Sequence, residues 1–238
     1  MKRFGAVSAA VALGLGLAAC GGGGSDITTP PPTDFNMKAG VTNMVAHGLM
    51  ANVTLSGTAV ANGASNDFTG SGTYSLSAGV NATFNGVAAL MQAQAISGTI
   101  MVAGQSAPLN VSVNDYYAAS DSAFLGETDS NEYDVAQTPI EYPTSIVGGS
   151  NGTLGTVNRY TDSTMSTPLG TAQVSYSATA PMDSGGPIGI AVTTKIFDTQ
   201  NNLLETDVTS YSMTTANVIS FVSASAQSPS ITLNVKAN

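Results

Sequence analysis

Along most of the chain, apolar and polar side chains alternate with a period of two, the spacing that puts them on opposite faces of an extended strand. Near the C-terminus Ile231, Leu233 and Val235 alternate with Thr232, Asn234 and Lys236. Val53 and Leu55 stand against Thr54 and Ser56, and Leu109, Val111 and Val113 against Asn110, Ser112 and Asn114. Ala172, Val174, Tyr176 and Ala178 form another such series. Ile188, Ile190, Val192, Thr194 and Ile196 lead into the turn-forming run DTQNN at 198–202, after which Leu204 and Val208 return, so a hairpin is expected there. Breaks near Gly63, Gly79, Gly86, Gly104, Gly126, Gly155 and Gly170 separate many short strands. The pattern predicts an all-β domain, an antiparallel up-and-down sandwich or a barrel-like meander.

Two stretches, GVTNMVAHGLM at 40–50 and VAALMQAQAI at 87–96, hold enough Ala, Leu, Met and Gln for short helices but are read here as strands. Residues 127–152 carry Glu127, Asp129, Glu132, Asp134 and Glu141, two prolines and little alternation. A connection is placed there near residue 145, between a β region at 35–145 and another at 146–238. The two regions share no convincing repeat, so either two β halves or one continuous sheet fits.

The first residues, MKRFGAVSAAVALGLGLAAC, have two basic residues and then an uncharged apolar run, the layout of a signal peptide over 1–19. The run is too short to span a bilayer as a helix. Leu17, Ala18, Ala19 and Cys20 resemble the lipobox of bacterial lipoproteins. That resemblance implies cleavage before Cys20 and acylation of its thiol and amine, hence a palmitate-type anchor; several acyl chains hold a protein to a bilayer far more firmly than one. Gly21 follows in place of the aspartate that retains many such proteins at the inner membrane, so the resemblance implies the outer membrane, on its periplasmic or its surface face. Residues 20–34 then read as a tether, glycine-rich at first and stiffened by Pro30, Pro31 and Pro32, reaching roughly 30 to 40 Å.

Cleavage would also remove Lys2 and Arg3, leaving four basic residues against fifteen acidic ones. Repulsion at long range argues against nucleic acid and anionic lipid head groups as partners. With Cys20 the sole cysteine, no disulfide supports the domain, and burial must suffice.

Several strings invite a catalytic reading. DSGGP at 183–187 matches the surroundings of the nucleophile in trypsin-like proteases, which would be Ser184, and His47 precedes it. Yet the glycine expected before the aspartate is Met182, IVGG at 146–149 lies after His47 instead of before it, and His47 sits too close to the tether for the strands that should come first. GGSNG at 148–152 fits the serine elbow of α/β-hydrolases around Ser150, but no histidine follows. We therefore expect no catalytic residues and no cofactor. One histidine and one lipidated cysteine cannot build a usual zinc site. Glu127, Asp129, Glu132 and Asp134, with Asn131, offer hard oxygens for calcium but lack the spacing of a calcium loop, and otherwise form a solvated acidic loop. Tyr116, Tyr117, Tyr133, Tyr142, Tyr160, Tyr176 and Tyr211 could line a face for a glycan or protein, or simply serve as the large residues of the sheet.

Two functions of different kinds follow: a non-enzymatic, lipid-anchored envelope protein that binds another envelope component or has a structural role, and a carrier holding a small apolar ligand inside a barrel. A filled core with an exposed aromatic patch favours the first, and an interior cavity the second.

Overall fold

The computed structural model describes residues 34–61 and 63–238. The signal segment, Cys20 and the tether up to Thr33 lie outside them. A helix, α1 (Met37–His47), comes first, followed by strands β1 (Leu49–Ala61), β2 (Ala64–Leu76), β3 (Val80–Phe84), β4 (Val87–Val102), β5 (Gln105–Ala118), β6 (Phe124–Thr128) and β7 (Tyr133–Ile140). The chain continues through β8 (Asn151–Tyr160), β9 (Pro168–Thr179), β10 (Ile188–Phe197), β11 (Leu203–Met213), β12 (Ile219–Ser228) and β13 (Ile231–Ala237).

From β4 onward each strand pairs antiparallel with the next, and the meander closes because β13 pairs with β1 (Leu55↔Val235, Gly57↔Leu233). The other closure lies between β2 and β4, from Phe68↔Val102 to Leu76↔Gln94. The 16-residue β4 is long enough to share one edge: β2 takes its C-terminal half and the short β3 takes residues 87–91. The result is a twelve-stranded closed barrel with one additional strand. The boundary expected near residue 145 falls between β7 and β8, which pair from Tyr133↔Tyr160 to Ala136↔Val157. The regions 35–145 and 146–238 thus contribute to a single sheet.

The alternation read from the sequence gives the wall its two faces. Val53, Leu55, Leu109, Val113, Leu233 and Val235 are buried, while Asn52, Thr54, Ser56, Asn110, Ser112, Asn234 and Lys236 between them are exposed. A barrel that spans a bilayer turns an apolar band outward; this one turns its apolar side chains inward. Among the described residues no helix is long and apolar enough to cross a membrane.

The strand expected over 40–50 is corrected: residues 37–47 are helical, and β1 begins only at Leu49. Asn36 caps the helix by accepting the Ala39 amide at 2.9 Å, and Gly48, at a φ of 71°, ends it while its amide donates to the Met44 carbonyl. Met37, Val41 and Val45, one turn apart, are buried against Tyr117, Ile188, Ile190 and Met213. Buried Gln92 of β4 donates to the Met44 carbonyl, fixing the last turn to the wall. The helix closes one end of the barrel. The stretch 87–96 is strand as read, within β4.

A second apolar cluster (Leu55, Tyr74, Ile96, Phe221, Leu233 and neighbours) fills the interior between β1, β2, β4, β12 and β13. Space between the packed clusters remains open.

Candidate functional site

The register of four consecutive strands lines up four charged side chains. Asp115 of β5 pairs with Glu127 of β6, Glu127 with Asp134 of β7, and Asp134 with Arg159 of β8. Directly paired residues of neighbouring strands project from the same face, and all four line a cavity of about 160 Å³ inside the barrel. Helix α1 bounds one side of this cavity with Met37, Val41 and Met44. Tyr117, Phe124, Tyr142 and Tyr211 add aromatic rings, Leu154, Val174, Ile190 and Val192 supply aliphatic wall, and β11 adds Asp207 and Thr209.

Next to the row β6 becomes irregular. Gly126 sits at a φ of 154°, where the register between β6 and its neighbours shifts. A Cβ at this position would run into the Asp134 carbonyl and the Phe84 ring. That ring stacks on Tyr116 at 4.5 Å between centroids and on Tyr133 at 5.2 Å.

Among the described residues that line the cavity, Arg159 is the one cation beside five carboxylates. Arg159 is 6% exposed and pairs with Glu132 through Nη2 and with Asp134 Oδ2 through Nε at 3.4 Å. Burial works against its charge, and Glu132 and Asp134 more than offset that, holding the guanidinium above its ordinary pKa. Three strands away, burial lifts Asp115 to about 7. Burial, and then the proximity of Asp115, lifts Glu127 to about 8. Asp134 is raised to about 8 by burial and by Glu127, against the pull of Arg159. Glu205 of β11 is raised chiefly by burial. Asp134 is 4% exposed, and its Oδ1 has no hydrogen-bond partner among the described residues.

The acidic residues considered for calcium are therefore divided. Asp129 turns the β6–β7 hairpin by accepting the Asn131 and Glu132 amides, while Glu127, Glu132 and Asp134 line the cavity, Glu132 paired there with Arg159. Among the described residues no group of three or more His, Cys, Asp and Glu is arranged to hold a metal ion.

Ser184 is exposed in the turn between β9 and β10, where the Gly186 amide donates to the Asp183 carbonyl and Gly185 takes a φ of 77°. His47 is the last residue of α1, its Nδ1 2.9 Å from the Asn43 carbonyl oxygen. Ser150 accepts the Val147 amide in the β7–β8 connection. The tyrosines do not form one face. Tyr117, Tyr142 and Tyr211 line the cavity, Tyr116 and Tyr133 flank Phe84, and Tyr160 and Tyr176 are half-buried on β8 and β9.

Asp115, Arg159 and Asp207 were not singled out from the sequence, although a signal existed. The series Leu109, Val111, Val113, carried on by two more steps, reaches Asp115 and Tyr117 on the inward face. Val157 and Arg159 share a parity in the same way, so a lone charge at an apolar position marks Asp115 and Arg159; Asp207, opposite in parity to Leu204 and Val208 and two residues after Glu205, carries no such mark.

No family model, curated protein or solved structure matches this chain.

Proposed function

We propose that the protein is a lipid-anchored, non-enzymatic component of the bacterial envelope, most simply of the outer membrane, whose barrel binds a small molecule in its interior. The cavity carries this proposal. A closed barrel that served only as a rigid spacer would gain stability by filling its interior, yet this one keeps about 160 Å³ open and lines it with charged and aromatic groups. An apolar cavity of about 150 Å³ already accepts a benzene ring, so the interior has room for a ring-sized ligand. The mixture of aliphatic, aromatic and a few convergent polar side chains is the usual lining of a small-molecule site. The anchoring half of the proposal rests on the basic start, the apolar run and the LAAC string ending at the sole cysteine.

The two halves are tested separately. Cys20→Ser should move the protein out of the salt-washed membrane fraction, and quantitative retention there would contradict the anchor. For the interior, melting of the mature chain is followed with toluene, benzyl alcohol and benzylammonium. At least one should raise Tm by mass action, and Leu154→Trp, which fills the cavity, should abolish the rise. No shift from any of the three contradicts interior binding.

A further inference from the structure

We infer that the ligand is an organic cation, an amine or guanidine on a ring-sized apolar body, whose charge sits against Asp115, Glu127 and Asp134. This rests on the proposal that the interior binds a small molecule, and it names the chemistry of that molecule.

Three carboxylates on adjacent strands, in direct register, span about 10 Å at ordinary strand spacing. All three line the cavity. Arg159 reaches only the last of them, through Asp134 Oδ2, and is shared with Glu132. Among the described residues no ion pair reaches Asp115 or Glu127; the other ion-paired cation, Lys38, is engaged with Asp121 and Glu141. An independent observation points the same way. Asp134 is 4% exposed, and its second oxygen, Oδ1, has no hydrogen-bond partner among the described residues. A buried carboxylate oxygen with an open lone pair loses its hydration without replacement. A donor arriving from the cavity would restore that bond, and a positive one would also relieve the repulsion along the row.

Alternative ligands fit less well. An anion would meet like charge, and a neutral alcohol would supply donors while leaving the row uncompensated. A bare metal ion would find no prepared set of ligands among the described residues. Beside the row the rings of Tyr117 and Tyr211 offer faces for a cation, and Met37, Val41 and Met44 of α1 offer the surface an apolar body would cover. The chemistry needed at the two ends of such a ligand is present in one cavity.

The test is a calorimetric titration of the mature full-length chain in nanodiscs at pH 8.5, with 2-phenylethylammonium and with its neutral counterpart 2-phenylethanol. The two differ at the head group and share the ring. The cation should bind at least tenfold more tightly, and Glu127→Gln should remove most of that preference while leaving the alcohol unaffected. Should Glu127→Gln fail to fold, the comparison in the unaltered protein decides by itself. Equal affinity for the two compounds, or tighter binding of the alcohol, overturns the cation and leaves interior binding standing. Failure of both to bind overturns interior binding as well.

Discussion

At Arg159 one guanidinium compensates Glu132 and Asp134 within a wall that holds further carboxylates at Asp115, Glu127, Glu205 and Asp207. Removing it would leave buried negative charge without a partner, an event that costs about 3 to 5 kcal/mol when the charge cannot be neutralised. Here it can be neutralised, because Asp115, Glu127 and Asp134 already bind protons up to about 7, 8 and 8. Their folded pKa values lie above the ordinary carboxylate range, so the folded state holds more protons than the unfolded state between those limits. Stability is then highest at the acidic end and is lost as pH rises through 7 to 8. We expect the ligand-free protein to melt several degrees lower at pH 8.5 than at pH 5.5. We expect Arg159→Met to lower Tm further, with the larger drop at pH 8.5. A variant whose loss is the same at both pH values would show that the row is not buried charge. Asp121, Asp162 and Asp198 are shifted downward, chiefly by hydrogen bonds that they accept, and titrate below this window.

The elements differed in how legible they were. β13 was plain because Ile231, Leu233 and Val235 alternate with polar residues over its whole length, and in the barrel Leu233 and Val235 are 1% exposed. Leu233→Asp should therefore cost on the order of 4 kcal/mol and open the seam with β1, while Asn234→Asp, one residue away on the outer face, should stay within about 0.5 kcal/mol. Equal melting temperatures for the two variants would deny β13 its place as the closing strand. Helix α1 was misread because its apolar residues were judged by composition and the chain around it by period two. Its own signals were present: Asn36 as cap, Met37, Val41 and Val45 four apart, and Gly48 as stop. A helix that plugs a barrel buries one narrow stripe, so the stripe is short and easily lost beside long strands.

For the molecule as a whole, the all-β meander was legible because the inward and outward faces of a closed sheet must alternate along every strand. Closure itself was not legible: nothing local distinguishes a β1 that pairs with β13 from an edge strand, and the sharing of β4 between β2 and β3 depends on lengths set by the whole sheet. The site was half legible for the same reason. Glu127, Glu132 and Asp134 stood out as a run of acids close in sequence, but Asp115, Arg159 and Asp207 join them only through register and closure. The account depends above all on a ligand entering the barrel, and methionine methyl resonances report this directly. Met37 and Met44 line the cavity, while Met50, Met101, Met165 and Met182 are exposed, Met50 at 77% and Met182 fully. With the mature chain labelled at its methionine methyl groups and titrated with 2-phenylethylammonium, the Met37 and Met44 signals should shift and saturate while those of the four exposed methionines stay in place. Saturating shifts confined to the exposed methionines, or unchanged signals throughout, would contradict a ligand site inside the barrel.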